Sequence, residues 1–302
     1  MKHITLKTDT LTAVILPELG GKIASLRHGD VELLQQPLRP YELRDLTMGF
    51  EESDASGFDE CLPSVAACTV SGVQIPDHGE FWRLVCEAEQ PGPNVLNLIA
   101  TGTVLPLRFE RVLTLEKDTL RITYRVENTG TTEVPYAWSA HPLFSVDAGD
   151  AIVLPTSVTE VTVEGSGRNR LGPAGTVLSW PVTSTSDDNY ASLDQAGESS
   201  LGIGDKLFMK APAEGWCALE RKKSGLRVTV SFDPKLSPYV GLWLCYGGWP
   251  EGSDNTQHCV AIEPCNAPVD SLEKTVKAGT ARKLAPGQVN SWWMEIGLSV
   301  VS

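Results

Sequence analysis

Three short stretches of the chain hold residue types able to move protons. Cys259–Pro268 (CVAIEPCNAP) sets Glu263 at the end of the apolar run Val260-Ala261-Ile262, directly before Pro264. A run of this kind, bounded by punctuation, suits a strand buried on both faces. The proline predicts that the strand stops there. A carboxylate in that position must be paired, neutralised or put to use, because burying a lone charge is costly. It can pair with an Arg or Lys at a sheet edge, or it can serve a reaction. The other two stretches, Pro76–Arg83 (PDHGEFWR) and Tyr136–Phe144 (YAWSAHPLF), each place one histidine, His78 and His141, among aromatic residues. Two imidazoles and one carboxylate suit acid–base catalysis near neutral pH, where histidine titrates and a partly buried carboxyl is tuned upward. The same three could also hold a metal as a two-His, one-carboxylate set. The tight HxH or HxD pairing is missing, so no metal is expected. His3, His28 and His258 lie in polar terminal or loop settings and read as solvated.

The elements that must position these groups read almost entirely as strands and turns. Ile23–Arg27 and Val31–Leu34 flank His28-Gly29-Asp30, a connection holding the glycine that a bulged hairpin needs. The clearest hairpin joins Phe109–Leu115 to Leu120–Val126 around Lys117-Asp118. In its second strand Leu120, Ile122, Tyr124 and Val126 alternate with Arg121, Thr123 and Arg125, so one face is buried and the other solvated. Further strands are expected over Phe81–Ala88, Val95–Ala100, Leu201–Lys210, Arg227–Phe232, Tyr239–Tyr246 and Ser291–Leu298. Gln36–Gly57, polar and with two prolines, reads as a long surface loop, and Gly165–Ser200 as long loops. Asp59-Glu60-Cys61 has the makings of an acidic pair or a thiol nucleophile. With no histidine near it in sequence, a turn with a buried cysteine explains it as well. Only Asp270–Lys277 looks helical, with Asp270 as N-cap and Glu273 three residues on. No repeat or linker interrupts the pattern, and residues 1–302 read as a single all-β domain, an antiparallel sandwich or barrel of ordinary size.

Composition excludes several classes of partner. The chain has 302 residues, 41% of them hydrophobic, and a net charge of −13. That balance argues against nucleic acid and anionic membrane surfaces, whose capture needs clustered Lys and Arg. Seven cysteines without a CxxC pair read as reduced thiols and a cytoplasmic location rather than a disulfide framework. The start of the chain lacks a signal-peptide pattern, and no apolar run is long enough to cross a bilayer. Sequence leaves the oligomeric state open.

The motifs HGEFW, SAHPLF, GDKLF, YVGLWLC, AIEPCNAP and KLAPGQVNSWWMEIGL occur in the order found in galactose mutarotase-like proteins, the aldose 1-epimerases and their relatives. The resemblance runs from Leu11 to Leu298. It implies a large antiparallel β-sandwich with a sugar-binding cleft on its concave face. It implies Glu263 as catalytic base, His141 as general acid, His78 as a histidine that binds the sugar near its ring oxygen, and Asp205 as acceptor for ring hydroxyls. The N-terminal Asn-Arg signature of galactose mutarotases is absent and Leu143 follows His-Pro, which marks a divergent branch.

Mutarotation opens a cyclic hemiacetal, turns the aldehyde about C1–C2 and recloses the ring on the other face. One group takes the O1 proton while another protonates ring O5, and the roles reverse on closure, so no cofactor or metal is needed. Trp82, Trp138 and Trp243 are placed to wall a pyranose ring, or else to fill the core. Arg83, with Lys206 or Arg44, offers cations that could hold a sugar phosphate. The expected function is thus aldose 1-epimerisation of a hexose. The alternatives are a carbohydrate-binding protein that keeps the cleft without turnover, and an epimerase acting on a sugar phosphate.

Overall fold

Alternation of apolar and polar residues builds two antiparallel sheets, seen in a computed structural model that describes residues 1–301. Leu107–Glu116 pairs with Thr119–Asn128, setting Phe109 opposite Val126 and Leu113 opposite Ile122. These side chains are buried on one face, while Glu116 and Arg121 face solvent. The hairpin belongs to an eight-stranded sheet running from Ala151–Val153 at one edge, through Trp216–Arg221, Leu226–Phe232 and Val289–Val300, to Val95–Thr101 and Glu87–Gly92.

The second sheet has eleven strands. Its centre is, in order, Lys22–His28, Phe58–Cys61, Ser139–Ser145, His258–Cys265, Tyr239–Tyr246, Ile203–Lys210 and Glu160–Ser166. The apolar inner faces of both sheets meet in one contiguous core, with Leu6, Phe58, Phe144 and Leu207 from one and Phe109, Ile122, Val230 and Met294 from the other. A β-sandwich is the outcome. Among the described residues the only α-helix is Leu272–Lys277.

The sheet departs from the sequence expectations in places that bear on the site. The strand holding Glu263 does not stop at Pro264; it runs from His258 to Cys265 in the middle of its sheet. Its ladder with Ser139–Ser145 pairs Ser139 with Cys265 and resumes at Leu143 and Ala261. The proline, which has no N–H to give, falls in the interruption between those pairs. Asp59-Glu60-Cys61 is no turn: Phe58–Cys61 is a fully buried strand pairing with Ser139–Ser145. Residues 81–83 form a turn, and the strand expected there starts only at Glu87. Trp216–Arg221 is a strand although its sequence carries little period-two signal. The helix N-cap is Ser271, whose hydroxyl accepts from the Lys274 N–H, which leaves Asp270 free of that duty.

Gln36–Gly57 is no simple surface loop, because Phe50, Ser53, Asp54, Ala55 and Ser56 are buried. Two cations fasten it. Lys22 Nζ lies 2.6 Å from Asp59 Oδ2 and 3.0 Å from Asp54 Oδ2, and Arg44 bridges the same two carboxylates. Burial pushes the Asp54 carboxyl up, but Lys22 and Arg44 outweigh it and hold the group down at about 2. A carboxyl depressed in the folded state adds stability above its unfolded value, and that stability is lost as pH falls through the folded value. Asp54 should therefore contribute about 2 kcal/mol at neutral pH that disappears between about pH 4 and pH 2. The comparison is between urea midpoints of wild type and Asp54→Asn at pH 7 and at pH 3. The gap should narrow at the lower pH, and a gap that stays constant would deny the carboxylate this role.

Candidate active site

The interrupted ladder is where the site forms. Carrying the register across it sets His141 opposite Glu263, and His141 Nε2 lies 3.8 Å from Glu263 Oε1. His141 shares its face with Leu143, while Ala140 and Phe144 point the other way into the core. On the far side, Tyr239–Tyr246 pairs Gly241 with Glu263, and Ile203–Lys210 pairs Lys206 with Trp243. Lys206 Nζ donates to Glu263 Oε2 and sits 3.8 Å from Asp270 Oδ1. Gly241 makes this meeting possible. A Cβ there would come within 2.9 Å of Glu263 Oε2 and 3.2 Å of Lys206 Nζ.

His78 arrives from a turn rather than the sheet. Its backbone is left-handed at φ +56°, and Gly79 follows at φ +72°, where a Cβ would stand 2.0 Å from the Leu62 carbonyl oxygen. Only glycine tolerates that approach. The imidazole stacks on Phe50 with centroids 4.2 Å apart, meets His141 edge-on at 5.3 Å, and is held through Nδ1 by Asp77 Oδ1 at 3.0 Å. The cleft these groups form has a volume of about 150 Å³. Phe50, Trp243 and Trp249 make its apolar walls, with Val65, Gln257 and Asp270 completing the lining. Gln257 accepts from the Trp243 indole N–H at 2.9 Å and fixes that wall. At this size, below the roughly 300–1,000 Å³ of drug-sized sites, it suits one small ring rather than a chain.

The electrostatics are those of a desolvated acid–base cluster. Burial drives the His141 imidazole well below its ordinary pKa, and His78, Lys206 and Lys22 push the same way. A histidine titrating near its usual value was expected, but desolvation makes the free imidazole neutral. Burial also favours a neutral Lys206, yet Glu263 and Asp270 outweigh it, and the ammonium is held above its usual range. Burial raises Asp270, with Lys206 opposing. Two buried oxygens, Glu263 Oε1 and Asp270 Oδ1, and one buried nitrogen, His141 Nδ1, have no hydrogen-bond partner. Such groups are costly unless something completes them.

Of the six side chains picked from sequence for the site, the structure brings Glu263, His141 and His78 together. Asp205 is a correction. It shares the core-facing side of its strand with Leu207 and Met209, is fully buried, and bonds Ser166 and Arg170. Strand alternation then gives the cleft side to Lys206. Trp82 stands behind Phe50 at 5.4 Å, its indole N–H bound to the Asp77 and Gly79 carbonyls. The Arg83 guanidinium donates to the Asp45 and Asp77 carbonyls, and burial lowers its pKa to about 10. Both brace the His78 turn and neither lines the cleft. Trp138 packs in the core against Tyr124 and Trp292, and its N–H serves Glu60. Trp243 does line the cleft. Lys206, considered only as a phosphate-binding cation, lines the cleft and pairs with Glu263; the residues missed are Asp270, Asp77, Phe50, Trp249 and Gln257. Only the Gly241–Trp243 step in YVGLWLC hinted at a strand face open to a ligand.

Solved structures place this architecture. A candidate aldose 1-epimerase from Escherichia coli K12 superposes with a TM-score of 0.72 at 16% identity, covering 99% of either chain. The galactose mutarotase related enzyme from Lactobacillus acidophilus gives 0.67 at 16% identity, covering 100% of this chain and 98% of the other. The chain has the galactose mutarotase-like fold. A galactose mutarotase-like protein from Clostridium acetobutylicum matches at 0.66, with 14% identity over 98% and 94% of the two chains. No family model and no curated protein matches the sequence. In this galactose mutarotase-like sandwich the cleft lies on the face of the larger sheet turned away from the core.

Proposed function

We propose that the cleft opens and recloses the ring of a neutral aldose, interconverting its α and β anomers. The observation that carries this is the buried, unpartnered Glu263 Oε1 set 3.8 Å from Nε2 of His141, which lines the cleft. Glu263 Oε1 takes the O1 proton, while Lys206 donates to Oε2 and holds the side chain in place. As the C1–O5 bond breaks, the electron pair of that bond goes to O5, which takes a proton from His141. The resulting aldehyde turns and the two transfers run backwards. Because the free imidazole is neutral, His141 takes up the proton it gives from solvent as the sugar binds, with the Glu263 carboxylate 3.8 Å away as its counter-charge. Each such proton transfer supplies about 10²–10⁴-fold, sufficient for a reaction that already proceeds in water. Phe50 and the two tryptophans give the ring apolar walls, and Asp270 Oδ1 accepts from a hydroxyl.

A neutral sugar is favoured over a sugar phosphate. Lys206 is the one Lys or Arg among the described lining residues, and two carboxylates already surround it. Arg83 and Arg44, the other cations considered, are committed to carbonyls and to the Asp54–Asp59 pair. The test is ¹H NMR of freshly dissolved α-glucose, α-galactose and their 6-phosphates with and without protein. Faster anomeric exchange is expected for a neutral sugar. Line broadening or saturation transfer without faster exchange would favour the binding protein, and acceleration confined to a phosphate would overturn the neutral substrate.

The Gly241 contact gives a second check. Gly241→Ala must displace Glu263 or Lys206 by some tenths of an ångström, and small misplacements of reacting groups can cost up to about 10²-fold. kcat should fall by about 10-fold or more, with Tm changing little. Unaltered kcat would show that the exact seat of Glu263 is unimportant.

A further inference from the structure

The two cleft histidines have a neighbour that the proposed acid–base scheme does not use. Cys61 ends the strand beside that of His141, its pair being Ser139, and lies fully buried beneath the cleft floor. Its Sγ and one nitrogen each of His78 and His141 all lie within 4.8 Å of one another. Two imidazoles and a sulfur are the donor set of zinc and its soft relatives, not of magnesium or calcium. The three ligands come from three separate segments, Phe58–Cys61, the Asp77–Gly79 turn and Ser139–Ser145, so the fold and not a local motif assembles them.

Two further observations point the same way. His141 Nδ1 is buried without a partner. His78 Nδ1 is engaged by the Asp77 carboxylate at 3.0 Å, the arrangement that orients a metal-bound histidine and fixes its free nitrogen for the ion. We propose that Cys61, His78 and His141 form a binding site for one zinc-class ion, entered from the cleft, and that its occupancy is inhibitory. On binding, the thiol proton of Cys61 passes to solvent and the thiolate joins the ion. Ligand bonds of about 2.0–2.3 Å would draw the donor atoms together by about 1 Å and leave a fourth position facing the cleft. Inhibition rests on the proposed acid–base function, because the ion takes both histidines; binding does not depend on it.

Cobalt(II) serves as the probe. Titrating the protein with Co²⁺ should produce thiolate-to-cobalt absorption in the near ultraviolet at one equivalent, erased by added Zn²⁺. Cys61→Ser should lose that band, and Asp77→Asn should keep it while weakening metal affinity about 10–100-fold. Cys68→Ser, changing a cysteine outside the cluster, should behave as wild type. Zinc should also lower the sugar-exchange rate of wild type but leave the ratio of rates with and without zinc near one in Cys61→Ser. No band, or a band surviving in Cys61→Ser, overturns the site. A band with unimpeded sugar exchange overturns inhibition. A band in a protein that exchanges no sugar at all upholds the site while removing the catalytic reading. Should Cys61→Ser fail to fold, X-ray absorption of the wild-type zinc complex decides: one sulfur neighbour is expected, and none overturns the proposal.

Discussion

Glu263→Gln is expected to lower kcat for α-to-β aldose conversion by at least about 10²-fold with a smaller change in KM. The amide keeps the shape of the side chain and its place opposite His141, but it cannot take the O1 proton. Its NH₂ would also face Lys206 or the cleft where a carboxylate oxygen now stands, so a modest loss of stability is expected too. His141→Asn should lower kcat by a similar factor, since O5 then leaves without a proton. The double variant should be little worse than either single one, because base and acid work as a unit whose parts are not additive. The measurement is anomeric exchange by NMR over a range of sugar concentrations, which separates kcat from KM. A Glu263→Gln protein that exchanges anomers at the wild-type rate would remove Glu263 as the base.

The strand carrying Glu263 was legible because its chemistry is local: Val260-Ala261-Ile262 ahead of it announces a buried strand with one polar exception. The strand of His141, Ser139–Ser145, was not, because aromatic residues around a histidine carry no clear period of two. Register was not legible, and register is what sets His141 across from Glu263. Pro264 misled for the same reason. A proline in a central strand is excluded only where the partner strand needs its N–H, and the interrupted ladder at His141 removes that need.

The error at Asp205 has a different origin. In Asp205-Lys206-Leu207-Phe208-Met209 both strand faces carry apolar residues, so period two alone cannot say which side is the core. The core takes Leu207 and Met209, and Asp205 with them, leaving Lys206 and Phe208 on the other side. Phe50 and Asp77 were illegible because they lie in irregular segments. Phe50 is placed by contacts across the sequence, its N–H donating to Asp77 Oδ2 at 2.8 Å and its loop tied through Asp54 to Lys22, and no periodicity records such contacts. Cys61 has no histidine near it in sequence to point to a site, yet one hydrogen-bonded strand brings His141 beside it.

Lys206→Met is expected to abolish measurable turnover at pH 7 and to destabilise the fold by about 3–5 kcal/mol, the range for removing one partner of a buried ion pair. The cause is the company Lys206 keeps. Its ammonium lies between Glu263, fully buried, and Asp270, which lines the cleft and is part-buried. Without it, two carboxyls share a low-dielectric site with no counter-charge, and at least one must take a proton. A protonated Glu263 cannot act as base. Activity should therefore return in part as pH is raised in Lys206→Met, which a purely structural role for the lysine would not produce. Adding Glu263→Gln to Lys206→Met should raise Tm above that of Lys206→Met alone, although Glu263→Gln by itself is expected to lower Tm. This reversal of sign reports the coupling of the two side chains directly. If the two changes instead add, Lys206 does not act through Glu263, and the ammonium would have to serve the sugar itself.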